Sequence, residues 1–338
     1  MKQKKQLLWI STGVVAVLLV ILALFLYFGV GETSIESEKI PFIQQQELPT
    51  NVKVTNQGSE YEIVQNGQNE DGEIAWSVAG YEQIPQYDLR TSEPAEQMKT
   101  LYAEKVFTPV DDLSAYGLDN PKATVIAFYP DGSTKTLKLG NENPDSTGRY
   151  ARLDEQQDIA LISASDAEVY MQTPDDYVDL TLVPYIQTTD ENGNELPGVE
   201  SCTITRSDLA APVVMNKGDD GKLQIVSPQG MQLSDENQTL MQNSISSLTA
   251  QSVASVNPSE QELSDYGLAQ PAVKVEYKIN GEDYTLLIGN VSKVTETVNE
   301  EDSSSSVPEN EYYVMLSGRP VVYSVMESSL PWVTVSFS

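Results

Sequence analysis

The stretch Leu113-Ser-Ala-Tyr-Gly-Leu-Asp-Asn-Pro121 returns 150 residues later as Leu263-Ser-Asp-Tyr-Gly-Leu-Ala-Gln-Pro271, with six of nine positions identical. A recurrence of this length confines the chain to two copies of one unit. The shared residues shape backbone or fill a core. Gly117 and Gly267 suit a backbone conformation that is costly for residues with a Cβ. Pro121 and Pro271 reject helix at the residue before them. Leu113, Leu118, Leu263 and Leu268 are apolar, and Tyr116 and Tyr266 complete the set. Catalytic residues are seldom kept identical in both halves of a duplication, whereas folding residues often are. The motif is therefore expected to be architectural, plugging one end of a sheet.

The same order of elements surrounds both copies. Val52-Lys-Val-Thr, Tyr61-Glu-Ile-Val and Ile74 to Val78 read as strands of a meander. A helix is predicted over Thr91 to Lys105, with Glu93 and Pro94 in its first turn and Met98 and Leu101 on its apolar face. After the motif come Thr124 to Tyr129, a turn at Gly132, and Ser133 to Leu139, which ends at Gly140-Asn141. Tyr150 to Leu153 and Ile159 to Ile162 form a closing hairpin, and Ser165 to Met171 one helical turn. The second copy starts at Cys202-Thr-Ile-Thr. Val213 to Met215 and Leu223 to Val226 follow. A helix capped by Ser234 then places Ile245 and Leu248 where Met98 and Leu101 stood. After its motif, Val273 to Ile279 alternates strictly, Asn280-Gly281 signals a hairpin, and Gly289-Asn290 repeats Gly140-Asn141. Tyr313 to Leu316 and Val321 to Val325 close the unit. Val291 to Asn310 is an insertion expected to loop out, carrying Glu300-Glu-Asp-Ser-Ser-Ser-Ser.

The amino terminus imposes a location. Leu7 to Val30 runs 24 residues without a charge, behind Lys2, Lys4 and Lys5. A bilayer core needs about 20 apolar helical residues, and lysines on the near side hold that end in the cytoplasm. The competing reading is a signal peptide cleaved near Gly29 or Gly31, although its apolar region would usually be shorter. The chain divides into a cytoplasmic flank (1–6), a transmembrane helix (7–30), a tether (31–50), a first repeat (51–187), a linker (188–200) and a second repeat (201–338).

Charge and residue types exclude several chemistries. Beyond the three flanking lysines, 17 Lys and Arg face 50 Asp and Glu. Such a surface repels phosphates, so nucleic acid is not an expected partner. The chain has no histidine and one cysteine, Cys202. Ser-His-Asp and Cys-His nucleophiles and His-ligated metals are thereby excluded. Cys202 sits in a strand pattern and reads as a buried small hydrophobe. Asp111-Asp112, Asp175-Asp176 and Asp219-Asp220 are acidic pairs expected on surface turns. Adjacent side chains on a strand point to opposite faces and do not converge on one substrate. Asp190 to Glu195 loosely resembles a calcium loop but lacks the twelfth-position Glu. No catalytic, metal or cofactor residue is assigned. The candidate residues are those of the repeat: Leu113, Tyr116, Gly117, Leu118, Pro121, Gly132 and Gly140, with Leu263, Tyr266, Gly267, Leu268, Pro271, Gly281 and Gly289.

The pattern Leu-Ser-x-Tyr-Gly-Leu-x-x-Pro, an extended run, and a hairpin ending in Leu-x-(Leu/Ile)-Gly-Asn resembles the bacterial domain-of-unknown-function 4340 family. Tyr150-Ala-Arg-Leu153 with Ile159 to Ile162, and Tyr312-Tyr313-Val314 with Val322-Tyr323, match its closing segments. The resemblance implies a single amino-terminal anchor and an ABC-type exporter, through its permease or auxiliary subunits, as a partner. The expected fold is α+β: two tandem repeats, each a mostly antiparallel sheet with one amphipathic helix, after a transmembrane helix. The expected role is a non-enzymatic, extracytoplasmic accessory protein anchored in the bilayer through residues 7–30. A carbohydrate- or cell-wall-binding module and a carboxylate-dependent hydrolase are the alternatives.

Overall fold

The computed structural model describes residues 39–337, except 57, 70, 108–111, 155, 184–185, 188, 190–191, 247 and 299–305. The expected membrane span 7–30 and the acidic run 300–305 lie outside the described residues. Among the described residues no helix is long and apolar enough to cross a membrane.

The first unit runs β1 (Ile40–Gln44), β2 (Asn51–Asn56), β3 (Ser59–Gln68), β4 (Ile74–Val78), α1 (Asp88–Lys99), β5 (Thr100–Ala103), β6 (Lys105–Phe107), β7 (Ala123–Phe128), β8 (Thr134–Glu142), β9 (Gly148–Leu153), β10 (Ile159–Ser163) and α2 (Ala164–Glu168). The second runs β11 (Val199–Arg206), β12 (Val213–Lys217), β13 (Leu223–Ser227), α3 (Asp235–Ser246), β14 (Ser252–Val256), α4 (Glu260–Asp265), β15 (Val273–Ile279), β16 (Glu282–Val298), β17 (Ser306–Leu316), β18 (Val321–Met326) and α5 (Pro331–Thr334).

The units do not share a sheet. One eight-stranded sheet has the order β4-β3-β2-β7-β8-β9-β10-β6, the other β13-β12-β11-β15-β16-β17-β18-β14, and the strands correspond place by place. Every pairing is antiparallel. Even the register repeats. Val54 faces Val125 across β2 and β7, and Ile204 faces Val275 across β11 and β15. Alternation decides which face is buried: Val52, Val54, Val125 and Ala127 are buried in one core, Cys202, Ile204, Val275 and Tyr277 in the other. A one-residue slip would turn every one of these side chains to the opposite face.

Four boundaries differ from the sequence reading. The tether 31–50 enters the fold at Ile40, because β1 pairs with β5. Phe42 and Ile43 are buried in the first core. The helix expected over 91–105 runs instead from Asp88 to Lys99. Its buried Thr91, Pro94, Ala95 and Met98 fall at i, i+3, i+4 and i+7, so Pro94 belongs to the packed face rather than the first turn. Residues 100–103 alternate exposed and buried, and their strand partner β1 is only five residues long, holds a proline and is flanked by polar residues. The insertion 291–310 is largely a two-stranded ribbon: β16 and β17 stay paired from Val291↔Tyr312 to Val298↔Ser306. The linker 188–200 is shorter than expected, since β11 begins at Val199.

A fifth difference, at the end of the first repeat, changes the relation of the units. Ile84, Val178, Leu182 and Val183 come from the first unit but are buried in the second unit's core. The segment 178–183 is stitched to both. Asp179 N–H donates to Pro85 O at 2.9 Å and Leu182 N–H to Leu248 O at 2.9 Å. Tyr87 Oη accepts from Leu180 N–H at 3.1 Å. Arg319 donates to Thr181 O at 2.7 Å, and the Tyr323 hydroxyl to Asp179 O at 3.1 Å. We refer to this segment as the clasp.

Candidate functional site

The recurring motif forms the same lock twice. Ser114–Tyr116 make a single 3-10 turn, and Gly117 leaves it at φ 70°. The hydroxyl and then the amide of Ser114 hold the Asp112 carboxylate below its usual range. Leu118 N–H returns to Leu113 O at 3.1 Å, and Leu118 is buried. The end of β8 lies directly on this turn. A Cβ on Gly140 would stand 2.1 Å from Tyr116 O, and one on Gly117 would stand 2.5 Å from Asn141 Oδ1. In the second unit Gly267 has φ 73°, and a Cβ on Gly289 would stand 2.1 Å from Tyr266 O. Asn290 N–H donates to Tyr266 O at 2.8 Å, and its Nδ2 to Asp265 O at 2.9 Å. Tyr116 meets Tyr150 edge-on with ring centroids 4.8 Å apart, and Tyr266 packs on Tyr313 at 4.4 Å. Pro121 and Pro271 lead into β7 and β15, while Gly132 and Gly281 turn the hairpins that follow, with positive φ and open space around them.

A second correspondence at the same offset escaped the sequence reading. Asn56 Nδ2 donates to Tyr170 O at 3.0 Å and Gln172 O at 2.7 Å. Arg206, 150 residues on, donates to Trp332 O at 3.1 Å, Val333 O at 3.2 Å and Val335 O at 2.9 Å. Both side chains leave the last residue of an equivalent strand and tie down the segment after the sheet. Only the three-dimensional arrangement relates them, because Asn and Arg share no type.

Two clefts lie along the seam of α1 with α2, apart from two larger ones beside Trp76 and beside Phe42. One, of about 240 Å³, is lined by Arg90, Glu93, Ser165, Glu168 and Asp176 among others. The next, of about 280 Å³, is lined by Lys39, Gln97, Leu101, Glu104, Ser165 and Asp166 among others. Ser165 borders both. None of the fourteen motif residues lines either cleft. Arg90 donates to Asp176 O at 3.0 Å and lies 4.7 Å over the Tyr87 ring. Asp166 accepts from Ser163 Oγ at 2.7 Å, and from Gln97 Nε2 only at 3.5 Å. Burial pushes the Glu93 carboxyl up, the charge of Asp166 adds to this, and Arg90 opposes it. Gln97 Oε1 and the Tyr170 hydroxyl are buried without a hydrogen-bond partner. Each such group costs about 1–3 kcal/mol. Neither Gln97 nor Asp166 belongs to a recognisable motif. Glu93 and Gln97 lie four apart on α1, and Asp166 faces them from a helix 69 residues beyond Gln97 in sequence.

Residues 76–200 match the family model described as domain of unknown function DUF4340. The resemblance read from the motif therefore holds, over a span that contains the first lock, the seam and the clasp. No curated protein and no solved structure matches the chain.

Within the DUF4340 region Asp112 and Asp176 serve turns, while Asp175 is held across the fold. Asp175 accepts from the Tyr81 hydroxyl at 2.8 Å, and Asp176 forms a capping box with Thr173. In the second unit Asp220 accepts from Lys222 N–H at 3.1 Å. Burial pushes the Cys202 thiol up to about 12, so it is not a poised nucleophile. Among the described residues no group of three His, Cys, Asp or Glu could hold a metal ion. The raised Glu93 carboxyl gives a pH signature. A group whose folded-state pKa is raised contributes stability below its unfolded pKa and loses it as pH rises through the folded value. Denaturant titrations from about pH 4 to about pH 7 should show part of the stability lost with rising pH. Glu93→Gln should remove that part, and an unchanged pH profile in the variant would refute the assignment.

Proposed function

We propose that the chain is a membrane-anchored, extracytoplasmic accessory protein that binds rather than catalyses, working beside an ABC-type export or envelope-assembly complex. The observation that carries this reading is the uncharged run of 24 residues, Leu7 to Val30, behind three lysines. The first strand begins only ten residues later, at Ile40. Fully extended, the intervening residues reach about 30 Å, so an anchor at 7–30 would keep the first sheet close to the bilayer. The strongly acidic chain suits the aqueous side of a membrane. The use of the same residues in backbone locks in both units favours a scaffold over duplicated catalysis. The cell-wall reading has less support, because Phe107, Tyr116 and Tyr150 pack on one another. The hydrolase reading also has less, because Asp112, Asp176 and Asp220 serve turns.

The test is fractionation followed by purification in mild detergent. The chain should stay with the membrane through an alkaline carbonate wash and should recover a permease or auxiliary subunit. Release by carbonate, or repeated recovery without any transporter subunit, would overturn the proposal.

A further inference from the structure

We propose that the cleft between β5 and α2 binds a primary ammonium group on a flexible aliphatic chain, the chemistry of a lysine side chain. The proposal rests on reading the protein as a binding module, and it names the ligand.

The cleft has the two ends such a group requires. Leu101 and Ala103 line it and are buried in the core, giving an apolar wall for a methylene stem. At the polar end stand Gln97, Ser163, Ser165 and Asp166, with Glu104 at the exposed rim. Gln97 is only 8% exposed, and its Oε1 has no hydrogen-bond partner. That oxygen is an acceptor awaiting a donor. Its Nε2 is committed to Asp166 Oδ1, though only at 3.5 Å. Asp166 Oδ2 is held by Ser163 Oγ at 2.7 Å, and Asp166 N–H donates back to Ser163 Oγ at 3.1 Å. The opposing groups therefore offer acceptors and negative charge. An ammonium brings three donors and no acceptor, which matches that set, whereas an anion or a carbonyl does not. Glu93, on the adjoining side of Ser165, adds to the same field. Lys39 at the mouth is the one opposing cation among the lining residues.

The second unit acts as an internal control. Aligning Met98 with Ile245 places Leu240 at the position of Glu93 and Ser244 at that of Gln97. In place of α2 it has a 3-10 turn, Glu327–Ser329. The fold thus forms without the polar seam, and the first unit keeps a buried amide oxygen without a partner that its topology does not need.

Calorimetric titration of the full chain in mild detergent tests this, with Nα-acetyl-lysine methylamide as the probe and its Nε-acetylated form as the neutral control. The lysine probe should bind saturably, and the neutral control about tenfold more weakly or not at all. Gln97→Met should weaken binding about tenfold, and Glu104→Gln, at the exposed rim, about threefold. Lys39→Ala should strengthen it. The Glu104 and Lys39 variants leave the core intact, so they decide the matter even if Gln97→Met unfolds. Absence of saturable binding, equal binding of the acetylated probe, or no effect of the rim substitutions would overturn the proposal. A chain that binds the probe but recovers no transporter subunit would keep this site and overturn the proposed cellular role.

Discussion

Gly140→Ala is expected to destabilise the protein by about 3 kcal/mol. The added Cβ would stand 2.1 Å from Tyr116 O, which is backbone and cannot rotate away. Relief requires the end of β8 to lift off the turn, which breaks the packing of Leu118 and the Tyr116–Tyr150 pair together. Gly289→Ala should cost a similar amount, since the distance to Tyr266 O is the same. Gly132→Ala is the control. Its φ is +85° with nothing within 4 Å of a Cβ, so it carries only the strain of a left-handed residue, about 1–2 kcal/mol. Urea titrations of the full chain in mild detergent measure all three. A Gly140→Ala midpoint equal to that of the unsubstituted protein would show that the lock does not bear on stability.

Arg206→Ala is the second large effect, about 3 kcal/mol. Nη1 serves three carbonyls, and the rest of the guanidinium pairs with Asp208 at 2.7 Å and lies 5.8 Å from the Phe337 ring centroid. Truncation leaves the carbonyls of Trp332, Val333 and Val335 without this donor, so the carboxy-terminal segment should open locally. Trp332 is fully buried, which makes its fluorescence a direct reporter. The expected result is a red-shifted emission and faster amide exchange over 331–337, with the first unit unchanged. Arg206→Lys should rescue only part, because a single ammonium does not reproduce the planar fork. Asn56→Ala should cost less, since Asn56 serves two carbonyls rather than three. An Arg206→Ala protein with native emission and exchange would refute the anchoring role.

The parts legible in the sequence were those written in local backbone chemistry. The motif, its glycines and the Asn280-Gly281 turn announce themselves through residue types with few uses. Strands such as β15 announce themselves through alternation. The pairing of β1 with β5 was not legible, because it joins residues about 60 apart and neither strand reads strongly alone. The ribbon over 291–310 was hidden by its polar composition. There the pairing rests on backbone hydrogen bonds, which leave little trace in the residue types. The seam was illegible for a related reason. Gln97 and Asp166 are ordinary helix residues, and their meaning comes from being brought face to face. The match of Asn56 with Arg206 lay in position alone.

The clasp makes the repeat boundary different from the boundary of the folding units. A chain cut at residue 188 would leave Val178, Leu182 and Val183 behind, along with Ile84, and the second core would open onto water at each vacated position. The two sheets are therefore expected to melt in one transition, with the first able to stand alone more readily than the second. On a ribosome the same asymmetry sets an order. The side chains that close the second core emerge before that core is made, so the first unit presents a template on which the second is completed. Duplication here produced two copies of a topology, of which the second completes its core with side chains of the first.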